Sequence, residues 1–308
     1  MPPDYGITPP AYRLPDRTRL AAVRLQVSDL ARSVKYYERV LGLRRLNMPD
    51  DDVGLGAEGD DEPLVWLHER PEARPVPPGG RLGLYHFAIL VPDRASLGRF
   101  VRHLSELGEY AGSADHAVSE ALYLSDPDGL GIEVYVDRPR SAWRTQGHQL
   151  YMTTERLNVR DLLDTAGSQP WTGMPGGTVI GHVHLHVGNL DQGAAFYHEG
   201  LGLDKIVWSY PGALFLSAGG YHHHLGTNTW SSGPPATDED ARLLSWTVAL
   251  PSSGDVEAAG RSLESAGYRI NRTGTAVTAD DPWGTTVTIT VGSSTNAQPP
   301  DQKRNGRG

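Results

Sequence analysis

The segment from Ala114 to Asp137, ADHAVSEALYLSDPDGLGIEVYVD, places an imidazole, a phenol and a carboxylate on one short unit. His116 can carry a proton near neutral pH, Tyr123 can donate a hydrogen bond, and Glu133 can hold a cation. Asp126-Pro127-Asp128-Gly129 reads as a turn between two strand-like runs, so Tyr123 and Glu133 lie on the two arms of a hairpin. Further imidazoles fall in other strand-like stretches: His86 in LYHFAIL, and His182, His184 and His186 in GHVHLHV. The run Tyr221-His222-His223-His224-Leu225 adds three more. A single strand histidine is most often structural. Several at related positions invite a metal reading.

The elements that must position these groups follow from periodicity. Arg19 to Val27 alternates as a half-buried strand, with Val23, Leu25 and Val27 on one face. Ser28 or Asp29 then caps a helix running to about Leu41, and Gly42 ends it. Short strands follow, up to Leu64–His68. Arg70 to Gly80 is dense in Pro and Gly and reads as a linker. A second unit starts near Leu84 with a strand over Tyr85–Val91, then a helix from Asp93 or Ser96 to Leu107, and closes on the hairpin.

An internal repeat organises the whole. Shifting the first unit by 160 residues puts Leu25 on Leu185, Tyr37 on Tyr197 and Leu41-Gly42-Leu43 on Leu201-Gly202-Leu203. A shift of 159 puts Pro92 on Pro251 and Gly108 on Gly267, and Asp281-Pro282-Trp283-Gly284 echoes the hairpin turn. The expected fold is α+β: four βαβββ modules that pair into curved mixed sheets with helices on the convex side. The expected boundaries are a disordered arm over 1–17, modules over 18–72 and 80–137, a connection over 138–177, modules over 178–232 and 242–292, and a disordered tail over 293–308. One short helix is expected in the connection, near Val159 to Ala166.

Side chains alternate along a strand, so if Val183, Leu185 and Val187 face the helices, His182, His184 and His186 face the concavity. His86 holds the place of His182 in its own module. Modules one and four carry Ala22 and Ser245 at these positions, and Thr288 stands where module two has Glu133. Two imidazoles and one carboxylate, His86, His182 and Glu133, then make a facial triad that leaves about three positions of an octahedral ion open. That suits Fe(II). His184 remains the alternative to His182. By its spacing after Gly220, His224 would take the carboxylate's place in module three; it is read as a fourth ligand, a donor behind the ligands, a substrate contact or an exposed strand end.

Bulk properties narrow the class. The 308 residues suffice for two domains, and the formal net charge of −9 leaves no positive footprint for nucleic acid. There is no cysteine, so thiolate chemistry is excluded and any metal must be held by nitrogen and oxygen. No apolar run reaches the roughly 18 residues of a membrane span, and no signal-like start is present. The expectation is a soluble, cytoplasmic protein.

The fourfold module and the strand histidines resemble the vicinal oxygen chelate superfamily, which includes glyoxalase I, bleomycin-resistance proteins and extradiol dioxygenases. His116 followed by Leu122-Tyr123-Leu124-x-Asp126-Pro127-x-Gly129-x-x-x-Glu133 is similar to the extradiol signature, in which the tyrosine lies ten residues before the metal-binding glutamate. GLYHFAILVPDR, DHAVSEALYLSDPDG and GHVHLHV look most like bacterial catechol-2,3-dioxygenases of the four-module type. The resemblance implies Fe(II), or less often Mn(II), on His86, His182 and Glu133, a catechol and O2 as substrates, and ring opening beside the diol. It implies His116 as the acid–base residue and Tyr123 as a hydrogen-bond donor, against which stand a surface-loop role for His116 and a core role for Tyr123. In familiar extradiol enzymes the ligands come from modules three and four; here they fall in two and three, which must then pair. A glyoxalase-type isomerase or lyase, with four protein ligands including His224, is the rival, and a non-catalytic protein binding an aromatic compound is the third reading. Trp66, Trp208, Tyr210, Trp230 and Trp246 are candidates for a ring-shaped pocket, though most are expected in the core. The oligomeric state stays open, with a homo-oligomer among the options.

Overall fold

The computed structural model describes residues 4–48 and 52–292. Each of its four modules opens with a strand and helix whose boundaries are set by capping. In module one, β1 (Arg19–Val27) leads into α1 (Leu30–Arg39), where the Asp29 carboxylate accepts from the Arg32 N–H. The strands β2 (Arg44–Arg45), β3 (Val53–Gly56) and β4 (Val65–Glu69) complete it. Module two has β5 (Gly83–Leu90), then α2 (Arg94–Leu107) capped by Asp93 and stopped at Gly108 with φ +70°. It continues through β6 (Gly112–Asp115), β7 (Ser119–Ser125) and β8 (Gly131–Asp137).

A small hairpin, β9 (Thr145–Gln146) with β10 (Gln149–Leu150), and the short helix α3 (Val159–Thr165) occupy the connection. Module three has β11 (Val179–His186) and α4 (Leu190–Ala194), which widens into a π-type turn over Ala195–Gly200. Its remaining strands are β12 (Asp204–Val207), β13 (Ala213–Ser217) and β14 (Leu225–Asn228). Module four has β15 (Arg242–Leu250), α5 (Ser253–Ser265), β16 (Ile270–Thr273), β17 (Ala276–Asp280) and β18 (Thr286–Val291).

The fold is α+β with two curled, mixed eight-stranded sheets. One runs β12-β13-β14-β11-β5-β8-β7-β6 and joins modules three and two; the other runs β16-β17-β18-β15-β1-β4-β3-β2 and joins modules four and one. At the centre of each sheet the two opening strands pair antiparallel, β5 with β11 and β1 with β15. Within a module the last strand lies parallel beside the first, as β8 lies beside β5. The helix-facing residues, among them Leu25, Phe87, Ile89, Val183, Leu185 and Val287, share one buried core that runs through both halves.

The hairpin turn is a joint between the halves. Asp128 accepts from the Ser28 N–H, the Ser28 hydroxyl and the Arg32 guanidinium, while the Tyr37 hydroxyl donates to Asp126. The same device recurs where Tyr197 donates to Asp281 at 2.8 Å. One expectation is corrected here. The described part of the N-terminal arm is not loose: Ile7 pairs with Lys205, Leu14 is fully buried, and Arg13 grips Asp204 with 2.7–3.1 Å bonds. Its apolar residues fill the outer edge of module three, which composition alone hides. The tail over 293–308 lies outside the described residues.

Candidate metal centre

Strand register decides what meets in the first cup. His86 lies opposite His184, and His182 opposite Ala88, across the β5–β11 pair. Ala88 in turn sits beside Glu133 on β8. The result brings His86, Glu133 and His182 together, with one donor atom from each lying within 4.8 Å of the others. Glu133 Oε2 is 3.0 Å from His86 Nε2 and 3.1 Å from His182 Nε2. All three side chains are buried.

Burial works to raise the Glu133 carboxyl, but the His182 and His86 imidazoles beside it win, and it is held well below the usual carboxylate range. Burial lowers His182 to about 4, so its imidazole is neutral. An ionised carboxylate beside a neutral His182 is the state a divalent cation needs. His86 Nε2 is buried and, despite its nearness to Glu133, has no aligned hydrogen-bond partner. Such an orphan is costly in a folded protein, and a coordinated ion would satisfy it. The nitrogen and oxygen donors fit a first-row divalent metal, and no sulfur competes.

A pseudo-twofold axis between β5 and β11 relates the two walls of the cup. It carries Tyr123, opposite Glu133 on β7–β8, onto Phe215, opposite Gly226 on β13–β14. It carries Glu133 onto Gly226, which sits beside His184 as Glu133 sits beside Ala88. The position that would supply a second carboxylate is therefore glycine. A Cβ at Gly226 would lie 2.8 Å from the His184 ring, so that ring occupies the space.

This overturns the placing of His224 at the carboxylate position. Tyr221 to His224 is a loop, and β14 begins only at Leu225. His224 Nδ1 accepts from the Ala218 N–H and meets the Ser217 hydroxyl at 2.8 Å, away from the triad. Burial lowers it to about 3. His223 is the member of the run that reaches the cup. Its ring lies 4.0 Å from the His182 ring and 5.0 Å from Phe215. The sequence reading assumed a strand with alternating faces, and so favoured His222 and His224.

On the opposite wall, Tyr123 Oη is 2.6 Å from His116 Nε2, and His116 Nδ1 is 2.6 Å from the Thr153 carbonyl. A carbonyl only accepts, so Nδ1 carries a ring proton, and the Tyr123 hydroxyl donates to Nε2. Burial and then the Glu133 charge push the Tyr123 phenol well above its usual value. His116 is half-buried and is hydrogen-bonded to Tyr123. Facing this pair, His184, Phe215 and Trp230 of module three and Tyr85 of β5 form an aromatic wall, with ring centroids 5.3–5.7 Å apart in the pairs Tyr85–His184, His184–Phe215, His184–Trp230 and Tyr85–Trp230. Of the five aromatic residues expected at a pocket, Trp230 is in this wall and Tyr210 lies 5.6 Å from Phe215. Trp246 is fully buried in the core, Trp66 belongs to the second sheet, and Trp208 is exposed. Tyr85 and Phe215 were not foreseen. The repeat register extended to β13 would have found Phe215.

The profile of the Glyoxalase/Bleomycin resistance protein/Dioxygenase superfamily matches residues 19–134 and 179–289. The chain belongs to this superfamily. Over 270 residues it is 44% identical to the catechol-2,3-dioxygenase of Bacillus subtilis strain 168, covering 86% of this chain and 94% of that protein. Among solved structures, a candidate dioxygenase from Bacillus subtilis subsp. subtilis strain 168 superposes with a TM-score of 0.62, at 15% identity, over 91% of this chain and 86% of its own. Glyoxalase I from Zea mays superposes with a TM-score of 0.53, at 18% identity, over 89% of this chain and 92% of its own. At such identities the structural likeness speaks for the fold alone. Among the described residues, a group of three donors close enough to share one ion lies in the first cup. The second cup, a cavity of about 520 Å³ lined by Arg24, Arg242, Ser245, Thr286 and Thr288 among others, has Ser245 and Thr288 where the first has His86 and Glu133. Among the described residues no helix is long and apolar enough to cross a membrane.

Proposed function

We propose that the chain is an extradiol catechol dioxygenase that uses a single Fe(II), with Mn(II) as the lesser alternative, held by His86, His182 and Glu133. The observation that carries this reading is the buried set of two imidazoles and one carboxylate, open on the side where symmetry would have added a fourth ligand. Its relative of 44% identity, named for catechol-2,3-dioxygenase activity, supports it. The bound ion would lower the pKa of the diol and bring it together with O2 at one centre.

The protein's own groups divide the remaining work. Tyr85, His184, Phe215 and Trp230 form the aromatic wall against which a substrate ring would lie. The Tyr123 phenol, kept protonated by burial, turns its single O–H from His116 Nε2 to an oxygen of the reacting ring. His116 takes or returns a proton through Tyr123, and its half-buried ring connects that pair to solvent. His223, on the opposite wall, is placed to accept the proton of a diol hydroxyl. Catechol and O2 are thus the small-molecule partners. A glyoxalase-type isomerase would want a fourth protein ligand, and Gly226 and the outlying His224 count against it.

The test is anaerobic reconstitution with Fe(II), followed by catechol and air. The expected result is a yellow ring-opened semialdehyde with one O2 consumed per catechol, lost in Glu133→Gln. Protein shown to hold iron that consumes no O2 with any catechol would overturn the reading and bring the isomerase and binding readings forward.

A further inference from the structure

We propose that Asp137 and His222 form a positioning relay that sets the tautomer and orientation of His223, presenting its Nε2 lone pair to the first cup. The proposal rests on the dioxygenase reading of that cup for its catalytic consequence, though not for its geometry. His222 is fully buried. Its Nε2 is 2.8 Å from Asp137 Oδ1, and its Nδ1 is 2.7 Å from His223 Nδ1. Its ring is otherwise enclosed by aromatic groups: Tyr221 at 4.0 Å, Trp143 at 5.4 Å and Tyr135 at 6.0 Å between centroids.

Proton counting gives the tautomers. An ionised carboxylate only accepts, so the His222 proton must be on Nε2. Taken as neutral, this ring holds a lone pair on Nδ1 and can only accept there. The 2.7 Å contact is then a bond only if His223 donates from Nδ1. A neutral His223 with its proton on Nδ1 has Nε2 free as an acceptor. No other assignment of two neutral rings satisfies both bonds. An imidazole with its acceptor nitrogen turned to the cup is the form that can receive a proton from a diol hydroxyl, and the other tautomer is not.

Asp137 is itself held. The Tyr221 hydroxyl donates to the same Oδ1 at 3.1 Å, and the Tyr135 hydroxyl lies 2.7 Å from that of Tyr221. Gly181 makes room for Tyr135, since a Cβ there would collide with the Tyr135 hydroxyl. The residues that look like an accidental run of three histidines therefore do different things. His224 anchors the loop on Ser217, His222 orients, and His223 faces the cup.

Asp137→Asn tests this. An amide can turn its NH2 toward His222 Nε2, which moves the His222 proton to Nδ1 and forces that of His223 to Nε2. Long-range proton–nitrogen NMR on the full chain, without metal and again with Zn(II), reads the tautomer directly. The His223 signals are those missing in His223→Gln. The expected result is protonation at Nδ1 in the wild type and at Nε2 in Asp137→Asn. Turnover of the iron-loaded variant is expected to fall about 100-fold or more in kcat with KM and metal content unchanged, as mis-set tautomers do elsewhere. Asp137→Glu is expected to restore both readouts in part. A wild-type His223 protonated at Nε2 overturns the proposal whatever the variant does. An inverted tautomer with kcat within twofold of wild type overturns its catalytic consequence. Because the NMR reading needs no turnover, a wild type that fails to cleave catechol yet shows these tautomers sinks the dioxygenase reading and upholds the relay.

Discussion

At Glu133, one carboxylate oxygen faces two imidazole nitrogens, and the energetics of the cup turn on that convergence. Glutamine matches its volume and removes its charge. Glu133→Gln is expected to weaken metal binding by more than about tenfold, read by equilibrium dialysis with Fe(II) or Mn(II), and to leave the fold intact. An unchanged metal stoichiometry at low metal concentration would show that the triad is not the site. Tyr123 offers a finer test. Tyr123→Phe removes one hydrogen bond with His116, which costs about 0.5–1.5 kcal/mol in a denaturant titration. If the phenol acts on the substrate, kcat falls by at least about tenfold, beyond what so small a stability loss explains. Equal kcat in the two proteins would return Tyr123 to a structural role.

At the level of elements, the close parallel approach of β5 and β8 sets where Glu133 stands. Gly131 begins β8, and a Cβ there would collide with the backbone carbonyl of Tyr85 on β5. A backbone oxygen cannot rotate away as a side chain can, so the strands must part. Gly131→Ala is expected to cost about 1–3 kcal/mol, the usual range for overpacking. It should also weaken metal binding, although residue 131 touches no ion, because it shifts Glu133 relative to His86. Stability loss with metal affinity intact would show that β8 can yield without moving its carboxylate. The expected placing of the last strand of module three failed at this scale as well. A run of histidines looks like alternating strand positions, yet the Tyr221–His223 backbone bends and joins neither β11 nor β13, and the ladder of β14 runs over Leu225–Asn228.

At the scale of the molecule, the two curled sheets are locked by buried aspartates in the two equivalent turns. Asp126 accepts from the Asp128 and Leu130 N–H groups and from Tyr37. Burial still dominates and raises its carboxyl from 3.8 to about 7. The folded protein therefore holds a proton that the unfolded chain releases near pH 4. Stability is expected to fall as pH rises from about 4 to about 7, because the unfolded state binds fewer protons over that window. Asp126→Asn keeps an acceptor oxygen and cannot titrate. Urea midpoints at pH 5 and pH 8 should differ less in this variant than in the wild type. Equal differences would mean that Asp126 does not carry the slope. Asp281, in the matching turn, is raised in the same direction by burial.

The order of amino acids alone determined the repeat, the concave positions of His86, His182 and Glu133, and the lack of equivalent donors in modules one and four. Those readings need only strand alternation and a shift of the chain against itself, both of which are local. The pairing of modules two and three was reached indirectly, from where the candidate ligands fell. What only the tertiary structure decided is which atoms meet. His182 rather than His184 faces Glu133 because β11 pairs with β5 in a register that sets His182 against Ala88, with a bulge just before it. His223 rather than His224 enters the cup because the chain bends before β14. His116 approaches through Tyr123 because a carbonyl of the connection, Thr153, holds its other nitrogen. Each of these depends on register, loop path or a contact between distant residues, and none leaves a periodic trace in the sequence.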